Sequence, residues 1–316
     1  MKILTELQAA LIIRQATRRL AEYIKNAKLE TIILGVSGGI DSAVVGAIGL
    51  KTQKWLMEEG YPLKINYSFL DVHSNPQDLV KAMDLASTLG FNLQFFDLSS
   101  WYDSSPLLQL IPPDHPRAKI AQGNIKCRLR MIALYHFAQL YNGIYIDTDD
   151  LSEYFMGFWT RHGDEGDVKI IQELTKAEVY DLGEFMNIPY SVLSSKPGDG
   201  LGVSVNNLAT DQLGLPYMEI DYIISRFLQN GFDSNGQMLQ LSKGKYINLM
   251  TEVSEEIDRS QQEVHSVLKQ CLRTAFKRKY GENVSILLPL RLEMDLPVIG
   301  SDEFNELYLN AIKRSR

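Results

Sequence analysis

The stretch LGVSGGIDSAVVGAIGL, Leu34–Leu50, decides how the rest of the chain is read. An apolar run, Ile32–Val36, stops at Ser37-Gly38-Gly39 and resumes as a helix-like pattern carrying one acid, Asp41. A core strand passing into a core helix needs no such interruption, so the turn itself has a task. Two adjacent glycines let the backbone come close to a ligand and adopt conformations closed to other residues. Between a strand and a helix N-terminus they leave several N–H groups pointing outward beside the positive end of the helix dipole, an anion site suited to phosphate. Ser37 and Ser42 add hydroxyl donors. Asp41 belongs beside phosphate only if a divalent cation lies between them. The Gly-Lys-Ser/Thr ending of a Walker A loop is missing, and so is the three-glycine fingerprint of a dinucleotide-binding oxidoreductase. Taken alone, the same residues also read as a tight strand–helix turn with a capping acid.

Outward from this turn, strand and helix alternate. Thr31–Ser37 reads as strand and about Ser42–Glu59 as helix, followed by strand 63–71 and by helix 75–90, with Pro76 in its first turn and Gly90 closing it. Strand 91–99, helix 118–142 and strand 143–148 continue the rhythm, and an amphipathic helix over 5–27 precedes it. Such alternation predicts an α/β fold, a doubly wound parallel sheet with helices on both faces. Ligands of these sheets bind beyond the carboxyl ends of the strands. Ser37-Gly38-Gly39 and Thr148-Asp149 both fall at such ends. From about residue 200 the pattern is helical and polar, an appended C-terminal helical segment, which divides the chain at 1–225 and 226–316 within one globule.

With 316 residues and 45% hydrophobic content, the chain can bury a full core. A net charge of −7 argues against a duplex nucleic-acid partner. Cys127 and Cys271 stand alone, with no CxxC spacing, which fits a reduced cytoplasmic protein without a thiolate metal site. The first twenty residues scatter their charges and do not read as a signal peptide, and no segment approaches the length of a membrane span. The cysteines and histidines offer no Ser/His/Asp or Cys/His arrangement for nucleophilic catalysis.

SGGIDSA (37–43) resembles the pyrophosphate-loop signature of the N-type ATP pyrophosphatases. Four further blocks, GNIKCRLRMIALYHFA (123–138), TDDLSE (148–153), GFWTRHGDEGDV (157–168) and ELTKAEVYDLGEFMNIP (173–189), resemble in order and spacing those of the NAD synthases. The resemblance implies an adenine nucleotide alpha hydrolase-like fold and a homodimer. It also implies ATP-dependent amidation of nicotinic acid adenine dinucleotide by ammonia, through an acyl-adenylate, with release of AMP and pyrophosphate. On the same ground Ser37, Gly38, Gly39, Asp41, Ser42, Thr148 and Lys176 would bind ATP, and Asp41 and Glu153 would hold Mg²⁺. Arg128, Arg161, Asp167 and Lys277 would contact the nicotinate nucleotide. Lys126, Arg128 and Arg130 cannot all share one helix face, so one arginine can meet a ligand while another forms a salt bridge. The resemblance selects Arg128 for the ligand. Without room for a glutaminase before residue 30, free ammonia is the expected nitrogen source, unless a separate subunit supplies it.

The chain departs from the family pattern in several places. Gly198 stands where an ATP-contacting threonine is expected, so that contact is lost or moved to Ser204 or another donor. Asp147 replaces the glycine before Thr148, and Phe276 replaces the histidine before Lys277-Arg278. Residues 283–316 match nothing in the pattern and read as an extra edge element or an oligomer contact. Tyr154-Phe155-Met156 is bulkier than usual, which suits either a mononucleotide-specific site or a differently packed core. A non-catalytic nucleotide-binding homologue is a further reading, favoured by Gly198 and opposed by the joint retention of Asp41, Glu153 and Lys176.

Overall fold

A computed structural model of the chain describes residues 2–163, 165–198, 201–203, 208–233, 242–279, 286–287 and 289–315. In chain order the first half runs α1 (Glu6–Ala27), β1 (Thr31–Gly35), α2 (Ile40–Glu58), β2 (Lys64–Asp71), α3 (Pro76–Leu89), β3 (Leu93–Asp97), α4 (Ser99–Asp103), α5 (Pro106–Gln109), α6 (Ala118–Leu140) and β4 (Gly143–Asp147). Then come α7 (Leu151–Met156), β5 (Val168–Lys169), α8 (Lys176–Phe185), α9 (Tyr190–Leu193), α10 (Ala209–Leu213) and α11 (Tyr217–Gln229). The chain closes with α12 (Lys243–Glu256), α13 (Gln261–Arg273), α14 (Ala275–Lys279), β6 (Ile286–Leu287), a 3₁₀ turn (Arg291–Met294) and α15 (Asp302–Ser315).

The strands lie in the order β3-β2-β1-β4-β5-β6, and each of these pairings is parallel. The chain leaves β1 for β2 on one side and returns to β4 on the other. The order therefore reverses between β1 and β4, where a crevice opens beyond the strand ends. Successive residues of β1 serve opposite faces, as a strand buried on both sides requires. Ile32 and Leu34 enter the core formed with α1, α2 and α8, whereas Ile33 packs with Leu134 and Ala138 of α6. The doubly wound α/β fold expected from the alternation is the fold observed. Beyond the strands foreseen, β5 and β6 add two more, each only two residues long and too short to leave a period in the sequence.

A second core gathers Phe155 and Met156 of α7 with Ile223 and Phe227 of α11, Val253 of α12, Val267 of α13, and Phe304 and Tyr308 of α15. Because α11 runs through residue 225, the helices beyond it share this core with the segment that leaves β4. The tail supplies an edge element: β6 pairs with β5, Ile286 opposite Val168, and α15 packs on α11. Among the described residues no helix is long and apolar enough to cross a membrane.

Candidate active site

The turn after β1 passes hard against α3. Gly38 has φ +82°, and a Cβ there would lie 2.3 Å from the carbonyl oxygen of Asp78. Only glycine fits both the conformation and the approach. Gly39 caps α2 in an extended conformation without a side-chain bond to the first turn, whose N–H groups have no partner within the helix. Ser42 Oγ accepts from the Ser37 N–H at 3.2 Å and donates to Gly39 O at 3.1 Å, closing the loop on itself. Gly38→Ala is expected to cost at least about 1–2 kcal/mol from backbone strain alone, read as a lowered midpoint in urea denaturation.

Two helix starts bring the remaining groups to this turn. Asp150 caps α7, accepting the Glu153 N–H at 2.9 Å, and Thr175 with Glu178 forms a capping box for α8, whose first residue is Lys176. Lys176 Nζ then lies 2.8 Å from Asp41 Oδ2, 2.9 Å from Asp150 Oδ2 and 2.9 Å from Glu153 Oε1. Burial pushes the Glu153 carboxyl well above its usual range, and it raises Asp150 to about 6 against the pull of Lys176. Burial opposes the Lys176 charge, but Asp150, Asp41 and Glu153 outweigh it and hold the ammonium well above its ordinary value. Three carboxylates around one ammonium leave the site short of positive charge. Asp41 Oδ1 is buried without a hydrogen-bond partner among the described residues.

The crevice above this cluster has two lobes, one of them about 250 Å³ in volume. Gly35, Phe69, Leu70, Leu134 and Tyr145 give that lobe an apolar wall, with Ser37, Asp41, Ser42, Thr148 and Glu153 along its floor. The adjoining lobe is lined by Gly39, Lys81, Lys126, Lys176 and Lys196, a wall suited to polyphosphate. The residues expected to bind ATP thus converge on one crevice.

Arg128, Arg161, Asp167 and Lys277 do not line it. Arg128 is exposed, and its Nη2 donates to Arg161 O at 3.2 Å. Asp167 Oδ2 accepts the Tyr145 N–H at 3.0 Å, and the carboxylate also takes the Tyr135 hydroxyl. Lys277 Nζ donates to Gly157 O at 2.7 Å and to Trp159 O, and sits 4.8 Å above the Trp159 ring. The arginine that lines the crevice is Arg130, which donates from Nε to Leu70 O at 3.0 Å and from Nη2 to Ser74 Oγ at 3.2 Å and, among the described residues, forms no salt bridge. Helical periodicity separates the two arginines, but only the packing of α6 determines which one turns inward.

Sequence reasoning missed Asp150, whose position before Leu-Ser-Glu signals a helix cap and nothing more. It also missed the partner of Asp147. That carboxylate, fully buried at the end of β4, lies 3.2 Å from Lys169 Nζ and accepts from Gly166 N at 2.8 Å and Asp149 N at 2.7 Å. Asp149 adds a second acid 3.5 Å from Lys169. A lone lysine inside the apolar VKII run was the available signal. Phe155 and Met156 are core residues of the helical region, and the Tyr154 ring packs 5.9 Å from the Arg278 guanidinium, so the bulky run does not line the crevice. Gly198 lines both lobes, while Ser204 lies outside the described residues.

Known proteins resemble this chain in sequence and in fold. The sequence profile of the NAD synthase family matches residues 12–281. The NH(3)-dependent NAD(+) synthetase of Thermoplasma volcanium is 33% identical over 217 residues, 67% of this chain and 84% of that protein. Its namesake from Mannheimia succiniciproducens is 34% identical over 213 residues, 64% of this chain and 80% of that protein. Among solved structures, the NMN synthetase of Francisella tularensis superposes with a TM-score of 0.60 at 26% identity, covering 78% of this chain and 94% of its own. The glycine turn, the three acids and the buried lysine all fall inside the matched span, and the chain belongs to the NAD synthase family.

Proposed function

We propose that this protein is an ammonia-dependent ligase that converts nicotinic acid adenine dinucleotide to NAD⁺ at the expense of ATP, releasing AMP and pyrophosphate. The observation that carries this reading is the convergence of Asp41, Asp150, Glu153 and Lys176 beside a glycine turn at the joint ends of β1 and β4. The adenine takes the apolar lobe and the phosphates take the lysine-lined lobe. N–H groups of the Gly38-Gly39 turn, the dipole of α2 and the Ser37 and Ser42 hydroxyls grip the leaving pyrophosphate, and Thr148 meets the nucleotide from β4. The substrate carboxylate attacks the α-phosphorus and expels pyrophosphate, after which ammonia attacks the acyl carbon and expels AMP. No covalent nucleophile of the protein is required, since positioning and charge stabilisation suffice.

The residues present fit Mg²⁺. Asp41 Oδ1 lacks a partner, and the acids outnumber the one ammonium among them. Among the described residues no three metal-binding side chains form a cage of their own. Mg²⁺ needs none, because it is commonly held by one or two carboxylates with phosphates and waters. Asp41 and Glu153 would be those carboxylates, and the ion, when bound, offsets the charge of the departing pyrophosphate.

Arg128, Arg161, Asp167 and Lys277 are proposed for the nicotinate nucleotide, outside the crevice that takes ATP, where the exposed Arg128 beside Arg161 suits a phosphate. A homodimer fits the exposed Ile120, Ile132 and Leu140 of α6. Cytoplasmic residence fits Cys127 and Cys271, both buried and present as thiols. The test is pyrophosphate release with ATP, Mg²⁺ and ammonium, comparing nicotinic acid adenine dinucleotide with the mononucleotide. Faster turnover of the dinucleotide is expected. Preference for the mononucleotide would reassign the substrate, and silence with both would return the non-catalytic reading.

A further inference from the structure

The tail beyond residue 288 lies outside the span matched by the family profile, yet two of its side chains reach the start of the helix that carries Lys176. Arg291, only 6% exposed, clasps Glu178 in a two-pronged ion pair, Nη1 to Oε2 at 2.9 Å and Nη2 to Oε1 at 2.7 Å. The same guanidinium donates to Glu173 O at 2.6 Å and Pro297 O at 2.9 Å. Glu178 is the acid of the α8 capping box and accepts the Thr175 N–H at 2.8 Å. From α15, the wholly buried Tyr308 hydroxyl bonds Thr175 Oγ1, and its ring stacks on Phe304 at a centroid distance of 4.0 Å. Lys176 follows Thr175 directly, and its own N–H donates to Ser152 Oγ at 2.9 Å.

We propose that Arg291 and Tyr308 are positioning residues that set Lys176 through the cap of α8, so that the tail completes the ATP site from behind. A buried ion pair is a poor means of gaining stability, because desolvation offsets most of its attraction. It is an effective means of holding direction, and the fork of Arg291 fixes Glu178 in the plane that the cap requires. Glu178 is wholly buried, and among the described residues Arg291 is the cation that pairs with it. Thr175 is thereby held by two groups, Glu178 on its N–H and Tyr308 on its hydroxyl, both under control of the tail. A shift of that residue is transmitted over one peptide bond to the lysine that meets three carboxylates. This inference rests on the reading that Lys176 serves ATP.

The test uses the full chain, with Tyr308→Phe, Arg291→Lys and Arg291→Met compared by ATP titration calorimetry and by pyrophosphate release below the melting transition. Tyr308→Phe removes one hydroxyl and keeps the stacked ring, so the protein folds. It is expected to lower kcat/KM for ATP about fivefold, the worth of one buried hydrogen bond, with KM for ammonia unchanged. Arg291→Met is expected to lower it on the order of 10²-fold through misplacement, with Arg291→Lys recovering part of the loss. On a Lys176→Met background, Tyr308→Phe should not weaken ATP binding further, because the two act through one group. Equal weakening on that background, or unchanged ATP parameters in the folded single variants, would overturn the proposal. If the wild type binds ATP but turns over neither nicotinate substrate, the activity assignment fails while the calorimetric comparison still tests the tail.

Discussion

Asp41→Asn is expected to lower pyrophosphate release by about 10³-fold, the scale of losing a preorganised charge-stabilising group, without lowering the melting temperature of the ligand-free protein. The activity loss follows from the proposed role of Asp41 in holding Mg²⁺ against the leaving phosphates. The stability result follows from geometry. Asp41 Oδ1 has no hydrogen-bond partner among the described residues, so replacing it removes none of them, and the amide oxygen can still accept from Lys176 in place of Oδ2. Neutralising one of three carboxylates around a single buried ammonium also relieves repulsion. Functional sites commonly hold such unfavourable charge at a cost in stability. Glu153→Gln should behave in the same direction, since burial already pushes its carboxyl toward the neutral form. Thermal melts beside the pyrophosphate assay give both readouts. Retained release in Asp41→Asn would remove the metal assignment, and a large drop in melting temperature would make Asp41 a structural acid.

Asp147→Ala is expected to lose about 3–5 kcal/mol of stability, the usual result of removing one partner of a buried ion pair. Lys169 would keep Asp149, 3.5 Å away, as its carboxylate partner among the described residues, and the N–H groups of Gly166 and Asp149 would lose Asp147 as an acceptor. Those two donors join the loop after β4 to the turn before β5, so Thr148 should lose its support as well. Replacing the pair together, Asp147→Gly with Lys169→Leu, should recover most of the loss, because a buried pair is seldom worth more than apolar packing. Urea denaturation of the two single variants and the double variant measures the coupling directly. A cost under about 1 kcal/mol for Asp147→Ala would be that of a surface pair, and the triad would then have no bracing role.

How much of this protein was legible in its sequence depended on the distance over which each feature is determined. β1 to β4 and the long helices are local, written in apolar periods of two and 3.6 residues and closed by signals such as Pro76 and Gly90. The glycine turn was legible for the same reason: the N–H cradle, the small residues and the acid at the head of α2 lie within seven consecutive positions. The family pattern followed from contiguous blocks of that kind. β5 and β6 were not legible, because two residues carry no period and exist as strands only where a neighbour offers its edge. The cage around Lys176 joins positions 135 residues apart, and a lysine at a helix start looks like surface until three acids close over it. The choice of Arg130 over Arg128 for the crevice wall, the rescue of Asp147 by Lys169 and the reach of Arg291 and Tyr308 to the cap of α8 are of the same sort. By itself the sequence determined the order of the long elements, the glycine turn between β1 and α2, and the family. Only the tertiary structure decided which charges meet, because a charge declares its role through the partner that burial forces upon it, and that partner is set by packing rather than by neighbours in the chain.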